Sequence, residues 1–208
     1  MNPRKIHVRF VATVSFLFVS ALLLGAQAGW AEYPDRPVNL IVDMAPGGPA
    51  DLLTRALAIG TEKYLGKPLV LENKAGGGGA AALSLIANAK ADGYALCSSG
   101  NATIVDTALM QKVMFKPLKS FTPVISFSMA EYTALVVRPD SPFKNFNDFR
   151  DYAKKNPGKI KYSSSGVGTG THIGMAVIVG KDELKVVHLP HQGSAPAMTA
   201  LLGGHVDA

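Results

Sequence analysis

The sequence predicts an α/β fold with largely parallel sheets, and two observations support this prediction. Strand-like and helix-like segments alternate along the chain, and glycine-rich turns lie where a strand passes into a helix. Residues 38–42 (VNLIV) form an apolar run typical of a buried strand, and residues 50–65 follow with apolar side chains at helical spacing. Next in order we expect a helix stop at 66–68, a strand at 69–72, a flexible loop at 76–79, a helix at 80–89 and a strand at 94–97.

A second α/β unit is predicted to begin near residue 138. An apolar strand expected at 134–137 is broken by residues 138–142 (RPDSP), where two prolines restrict the backbone. We therefore divide the mature chain into a first unit at 32–137 and a second unit at 138–208. In the second unit we expect an amphipathic helix at 146–155, a stop at 156–158, strands at 160–163 and 185–189 with a helix-like stretch between them, and a turn at 190–196.

The first 31 residues have the layout of a secretory signal peptide. Arg4, Lys5 and Arg9 form a basic region, and an apolar run at 10–24 follows it. This run is shorter than the roughly 20 apolar residues that a membrane-spanning helix needs, which disfavours the alternative of a membrane anchor. We therefore predict export from the cytoplasm and a soluble mature protein. Cleavage is expected after one of two small residues, Ala28 or Ala31.

Charge and cysteine content narrow the class of protein. The 21 basic and 15 acidic residues give a formal net charge of +6, and three of the basic residues lie in the predicted signal peptide. The remaining 18 basic residues leave +3 and are scattered, which argues against nucleic-acid binding but is compatible with an anionic ligand. The single cysteine, Cys97, excludes an internal disulfide, and its apolar neighbours predict a buried, unreactive thiol.

The first candidate for a ligand site is the turn at 45–51 (APGGPAD), between the first strand and the first helix. Gly47 and Gly48 let the backbone come close to a ligand. The helix behind them directs unpaired N–H groups and a partial positive charge into the turn, where carboxylates and phosphates bind without a basic side chain. An ordinary tight turn in which Asp51 caps the helix explains the same residues equally well.

Three further turns also follow predicted strands. The glycines at 166, 168 and 170 do not match the dinucleotide-binding pattern, and the loop at 76–79 lacks the Lys-Ser/Thr pair of a phosphate-binding loop. Each turn alone is weak evidence for a ligand site, because Ser, Gly and Asn are ordinary turn residues. Ligands bind at the carboxyl ends of parallel strands, so the shared position predicts one cleft. The three turns are 98–103 (SSGNAT), 163–172 (SSSGVGTGTH) and 191–196 (HQGSAP).

Signatures of catalysis and metal binding are weak in the sequence. It contains no GxSxG motif, and the histidines at 172, 188, 191 and 205 lack the spacing of a metal site. We expect no catalytic residue, no metal and no cofactor. The alternative from another class is a hydrolase that uses a hydroxyl at 163–165 together with His172.

The last three residues, 206–208 (VDA), are typical of the start of another strand. The second unit has only about 70 residues and too few strands to cover both faces of its sheet, and so small a unit buries little surface. We therefore expect the sequence to be a fragment of a longer protein or a truncated gene product.

Several separated motifs occur in order between Tyr33 and the last residue. They are 45–48 (APGG) with Asp51, 72–74 (ENK), 92–94 (DGY), the turn at 163–172, and 193–196 (GSAP) with 202–204 (LGG). In this order they resemble the substrate-binding proteins of tripartite tricarboxylate transporters, which are also called the Bug family.

The resemblance implies a two-lobed periplasmic-binding-protein fold, type II-like, that closes on a small carboxylate. Members of this family serve a membrane carrier with large and small integral subunits, and some act instead with sensor proteins. Their ligands include dicarboxylates, tricarboxylates, acidic amino acids and aromatic carboxylates. For this chain we expect a monomer with membrane carrier subunits as partners, and ligand sensing for a membrane receptor is the alternative function.

The resemblance also assigns ligand contacts to residues of this sequence. The turn after the first strand is expected to hold a carboxylate through backbone amides, and the second lobe lines the other side. The assigned residues are Ala45, Gly47, Gly48, Asp51, Asn101 and Thr103 in the first lobe, Ser165, Gly168, Thr169 and His172 in the facing lobe, and Gly193, Ser194 and Ala195 at the cleft.

Three features depart from the family pattern. His191 stands where the family has Tyr, and residues 174–185 include an apolar, partly β-branched run instead of an amphipathic helix. The C-terminal part that completes the second lobe in the family does not occur in this sequence.

Overall fold

The computed structural model describes residues 32–128 and 133–208. The predicted signal peptide at 1–31 lies outside these residues, and so does its predicted cleavage site. Residues Arg36–Ala208 form one compact unit. Within the part of the chain that the structure describes, no helix is both long and apolar enough to cross a bilayer.

A parallel three-stranded sheet forms the first half of this unit. Its strand order is β2-β1-β3, so that the first strand in the sequence lies at the centre, and Leu40 of β1 is aligned with Leu71 on one side and Leu96 on the other. The βαβ connections place helices between successive strands, as the sequence predicts. The elements are β1 (Val38–Val42), α1 (Pro49–Leu65), β2 (Leu69–Asn73), a 3₁₀ turn (Gly77–Gly79), α2 (Ala80–Ala87), β3 (Ala95–Ser98) and α3 (Asn101–Met110).

The central strand is the most deeply buried element of this sheet. Val38 and Val42 are 1% and 0% exposed, and burial of such a side chain stabilises the fold by about 1.5–3 kcal/mol. Ala58 of α1 and Leu69 of β2 pack against β1 in the same cluster. This strand is therefore the rigid base from which the following turn, at 45–51, projects.

Helix α1 ends where the sequence predicts and begins one residue earlier. Pro49 occupies the first helical position, where its missing N–H costs no helical hydrogen bond. Gly66 ends the helix in the left-handed conformation with φ +66°, and its N–H donates to the carbonyl of Glu62 at 2.9 Å.

A second parallel sheet of two strands forms the other half of the unit. It has its own core, in which Phe149 and Ile160 are both 1% exposed. The amphipathic helix predicted at 146–155 is confirmed, and Asn145 caps it by accepting the N–H of Asp148 at 3.0 Å. The elements are α4 (Phe146–Lys155), β4 (Lys161–Ser164), α5 (Gly170–Asp182), β5 (Val187–Pro190) and α6 (Ser194–Leu202).

The strand predicted at 134–137 is wrong. These residues form no strand and pair with none in the described chain, and Leu135 and Val136 are partly exposed. An apolar, β-prone run becomes a strand only when a neighbouring strand completes its hydrogen bonds. The predicted boundary between units at 137 and 138 is not tested by the structure and stays a prediction.

The loop predicted to be flexible at 76–79 is instead a packed 3₁₀ turn. Gly78 and Gly79 are buried, and both have positive φ angles of 60° and 96°. Such angles are open to glycine at little cost, which explains why four glycines occur in a row.

The last two residues lie alongside β4. Asp207 N–H donates to the Lys161 carbonyl at 2.8 Å, and Ser163 N–H donates to the Ala208 carbonyl at 2.9 Å. Residues 207–208 thus hydrogen-bond as an added strand would, although the segment is too short to count as one.

Candidate ligand-binding cleft

The turn after β1 directly faces the turn after β5. Ala45 N–H donates to the Gln192 carbonyl at 2.8 Å. A Cβ added at Gly47 would lie 3.8 Å from Ala195 Cβ, and one added at Gly48 would lie 3.7 Å from the Ala195 amide nitrogen. The structure therefore brings together six of the residues assigned from the sequence, namely Ala45, Gly47, Gly48, Gly193, Ser194 and Ala195.

Both facing turns lead into helices that have no side-chain cap. Gly48 precedes α1 and Gly193 precedes α6, and neither residue can supply a capping oxygen from a side chain. Helix α4, which follows none of the four turns, is capped by Asn145. The first N–H groups of a helix lack intrahelical partners and carry a partial positive charge. Two such helix starts at one place form a site suited to a carboxylate.

Asp51 holds the first turn in shape. Its carboxylate accepts the Gly47 N–H at 3.0 Å, the Asn73 amide at 2.9 Å and the Arg55 guanidinium at 2.9 Å. The Asp51 side chain is only 3% exposed, and Arg55 is the main cause that lowers the pKa of its carboxyl to about 2. Because both oxygens bond to protein groups, we interpret Asp51 as a residue that positions the glycines.

Asn101 and Thr103 begin helix α3, which the sequence analysis did not predict. Thr103 is buried, and a Cβ added at Gly79 would lie 2.6 Å from its Cγ2. Asn101 is exposed at the first position of the helix. In the adjoining turn Ser99 donates its hydroxyl to the buried Asp43 carboxyl at 2.6 Å.

A closed group of hydroxyls forms the turn after β4. Ser165 Oγ lies 3.0 Å from Thr169 Oγ1 and 2.8 Å from Thr171 Oγ1, and the two threonine hydroxyls are 3.0 Å apart. The Gly168 N–H donates to Nδ1 of His172 at 3.2 Å. Ser165, Gly168, Thr169 and His172, all assigned from the sequence, therefore belong to one hydrogen-bonded turn.

Three rings stack beside this turn. The His188 ring lies 4.4 Å from the His172 ring and 4.6 Å from the Tyr162 ring, with interplanar angles of 6° and 12°. Burial, and then the neighbouring His172 and His191, lower the pKa of His188 to about 4. His188 is therefore a neutral hydrogen-bonding group at neutral pH. The strand register pairs Tyr162 with His188, a signal that sequence analysis missed.

The geometry does not assemble the Ser–His pair that the hydrolase alternative needs. Ser165 Oγ bonds to two threonine hydroxyls and not to His172. Ser164 Oγ does lie 2.7 Å from His188 Nε2, but Ser164 is 2% exposed, which leaves no room for a substrate at that hydroxyl. Among residues 32–128 and 133–208, no group of three or more His, Cys, Asp or Glu side chains is placed to hold a metal ion.

Glycines also form the second contact between the two halves of the unit. Gly78 meets the Val167 carbonyl so closely that no Cβ would fit, and a Cβ added at Gly166 would lie 2.9 Å from Gly78 Cα. A Cβ added at Gly168 would lie 2.8 Å from Thr107 Cα. The glycines in both loops therefore permit backbone-to-backbone packing next to the proposed cleft.

A family model described as "Tripartite tricarboxylate transporter family receptor" (TctC) matches residues 53–208. The chain belongs to this family. A UPF0065 protein of Bordetella pertussis is 35% identical over 208 residues, which are 100% of this chain and 62% of that relative. The TctC chain thus spans less than two thirds of this curated relative's length.

Two solved structures confirm the fold class. The periplasmic binding protein BugD is 34% identical with a TM-score of 0.72, and the match covers 84% of this chain and 58% of BugD. MatC from Rhodopseudomonas palustris, solved with bound malate, is 28% identical with a TM-score of 0.74, and the match covers 84% of this chain and 60% of MatC. The TctC chain therefore has the predicted α/β periplasmic-binding-protein fold with an incomplete second lobe.

The residues that support the turns were not predicted in that role from the sequence of this TctC chain. Asp43 and Ser99 directly follow strands and Asn73 ends one, and this position at the carboxyl end of a strand was the available signal. Asn73 was part of the motif at 72–74, but its bond to Asp51 depends on the parallel register of β1 and β2.

Proposed function

We propose that this TctC chain is part of an exported solute-binding protein that captures a small carboxylate between the Gly47–Gly48 turn and the Gly193–Ala195 turn. The observation that carries the proposal is the meeting of two uncapped helix starts at these facing turns. The malate bound to MatC supports a carboxylate as the ligand class. No basic side chain is required, because backbone N–H groups and helix dipoles supply the positive potential.

The wider role follows from the family. We propose that the ligand is delivered to integral carrier subunits for secondary uptake, that the protein is a monomer in the periplasm after signal cleavage, and that the chain is not an enzyme. Uptake of labelled ligand by cells with and without the gene tests delivery. Unchanged uptake in the deletion strain, with binding intact in the purified protein, would favour ligand sensing instead.

Binding is tested by isothermal titration of the purified chain with malate, succinate, citrate and benzoate. Gly48→Val is the informative variant, because Gly48 has φ −84° and ψ 170°, an extended conformation that valine adopts easily. The added side chain would fill the space in front of Ser194 and Ala195, so we expect affinity to fall at least about tenfold.

Gly60→Ala is the matched control, since Gly60 lies in the same helix α1 and a Cβ there meets nothing within 4 Å. The control is expected to bind like the unmodified chain. A folded chain that binds none of the four anions, or a Gly48→Val variant with unchanged affinity, contradicts the proposed site.

A further inference from the structure

The fold gathers five lysines at one end of the sheet formed by β4 and β5. Residues 154–161 (KKNPGKIK) contain four of them and no acidic residue. The fifth is brought next to this segment because the Gly158 N–H donates to the Lys185 carbonyl at 2.6 Å. We call these five residues the lysine surface. They are Lys154, Lys155, Lys159, Lys161 and Lys185.

The charges of the lysine surface are largely uncompensated. All five lysines are exposed, and none forms an ion pair with a described residue. Two acidic residues adjoin them. Glu183 precedes Lys185 by two positions, and the Asp207 carboxylate accepts the Lys161 N–H at 2.8 Å. Five lysines against two carboxylates leave three positive charges in excess.

This excess equals the net charge of the whole chain after residue 31. Residues 138–208 contain nine basic and six acidic residues, whereas residues 32–137 contain nine of each. Outside the lysine surface and its two acidic neighbours, four basic residues of 138–208 are balanced by four acidic ones. Two of these pairs are ion pairs in the structure. The positive charge of the chain is therefore concentrated at the lysine surface.

The lysine surface lies at the opposite end of the sheet from the proposed cleft. Lys161 is the first residue of β4 and is aligned with Val187, the first residue of β5. The turns assigned to the cleft lie at the other ends of these two strands, after Ser164 and Pro190. Each strand has four residues, so the two ends are about 10 Å apart. A partner can therefore cover the lysine surface and leave the cleft open.

The chemistry of the lysine surface fits a diffuse layer of negative charge better than a folded protein. Lys is a compact, strongly hydrated charge on a flexible stem, and protein–protein interfaces are instead depleted in Lys and centred on aromatic and Arg anchors. The surface contains no Arg, and the ring of Tyr152 on the same helix packs against Phe143 with centroids 5.3 Å apart. Anionic phospholipid headgroups present such a layer, and clustered lysines bind it through several weak contacts at once.

We propose that the lysine surface docks the chain on a membrane surface that carries anionic phospholipid headgroups, with the cleft turned away from the bilayer. This inference goes beyond the proposed capture of a carboxylate and does not depend on it. Docking in this way keeps the open cleft close to a membrane.

Co-sedimentation with lipid vesicles tests the docking. The purified chain is mixed, at about 0.1 M salt, with vesicles of phosphatidylcholine alone or with vesicles that also contain about 30% phosphatidylglycerol. We expect the partition coefficient to be at least about tenfold larger for the anionic vesicles. This difference should disappear at about 1 M salt, because the Debye length falls from about 10 Å to about 3 Å.

A triple variant locates the contact. Lys154→Gln, Lys155→Gln and Lys159→Gln together remove three charges from the lysine surface. Each lysine near an anionic membrane contributes a factor of about five, so the partition coefficient should fall at least about tenfold. The matched control replaces three exposed lysines of residues 32–137 by glutamine, loses the same net charge and should bind almost as the unmodified chain does. These are Lys63, Lys90 and Lys116.

Equal partition into both kinds of vesicle, or an equal loss in both triple variants, overturns the inference. If the chain ignores both vesicles but is retained on a polyglutamate resin, the surface receives an acidic protein and the lipid inference is also overturned. The lipid and salt comparisons on the unmodified chain decide the matter even if a triple variant does not fold. Carboxylate binding is titrated separately, so failed docking leaves the proposed function standing, and a failed titration leaves the docking standing.

Discussion

Replacing Asp51 by asparagine should destabilise the chain through the turn that Asp51 holds. In the structure the carboxylate accepts bonds from Gly47, Arg55 and Asn73. An asparagine side chain keeps the shape but turns one oxygen into a donor that faces other donors. The Asp51→Asn variant therefore loses a charge-assisted bond and leaves at least one buried donor without an acceptor.

The expected loss of stability is about 2–3 kcal/mol. The pKa of Asp51 falls from 3.8 to about 2, and about 1–2 kcal/mol of this linkage remains after allowance for the half-exposed Arg55. The unsatisfied donor adds about 1 kcal/mol. Urea denaturation followed by circular dichroism at pH 7 measures the difference. Asp140→Asn, which breaks an exposed pair with Arg138, is the control and should leave the urea midpoint almost unchanged.

The pH dependence checks the cause of this effect. A carboxyl whose folded pKa is depressed contributes stability that is present above its unfolded pKa and is lost as the pH falls through the folded pKa. For Asp51 this range runs from pH 3.8 down to about 2, so the charge-linked part of the difference should shrink as the pH falls below 3.8. An Asp51→Asn variant as stable as the unmodified chain at pH 7 would refute the argument.

Three further predictions concern glycine geometry and the thiol. Gly66→Ala should lower the free energy of unfolding by about 1 kcal/mol, because Gly66 ends helix α1 with φ +66°. Gly60→Ala, inside the same helix, should raise it by about 0.5–1 kcal/mol, because a Cβ there meets nothing within 4 Å. The urea midpoints of the two variants should therefore shift in opposite directions. Gly166→Ala should lower the free energy of unfolding by more than about 2 kcal/mol, since Gly166 has φ +141° and an added Cβ would clash with Gly78 Cα. A smaller loss would show that the two loops move apart to accommodate the methyl group. Cys97 is only partly buried, but the pKa of its thiol is raised to about 12. Iodoacetamide at pH 8 should therefore label it slowly in the folded chain and rapidly in urea, and equal rates would contradict the raised pKa.

The local sequence pattern was sufficient to predict strand β1 and the helices α1 and α4. Strand β1 is correct to the residue, because its apolar run is buried at the centre of a sheet. Helix α1 is correct within one residue, because Pro49 and Gly66 mark its ends through backbone geometry. Helix α4 has the predicted bounds, because its apolar residues recur at helical spacing and Asn145 caps its start.

The errors occur where partners distant in sequence decide the structure. Residues 134–137 have strand propensity but no pairing strand in the described chain. Helix α3 contains β-branched residues, and α6 begins within residues that resemble a turn, so neither shows a strong helical signal. Of the site, the facing turns were predictable from their position after strands. The Asp43–Ser99 bond and the ring stack on His188 were not, because both depend on how strands align.

The most direct test of the central claim is a titration of the ¹⁵N-labelled chain with a carboxylate ligand, followed amide by amide. If the anion lies between the facing turns, the amide signals of Gly47, Gly48, Ser194 and Ala195 should shift most and saturate together with one dissociation constant. The amide of Gly60, on the same helix but remote from the turn, should stay in place. Shifts confined to other parts of the chain, or no saturable shift in these four amides, would contradict the account.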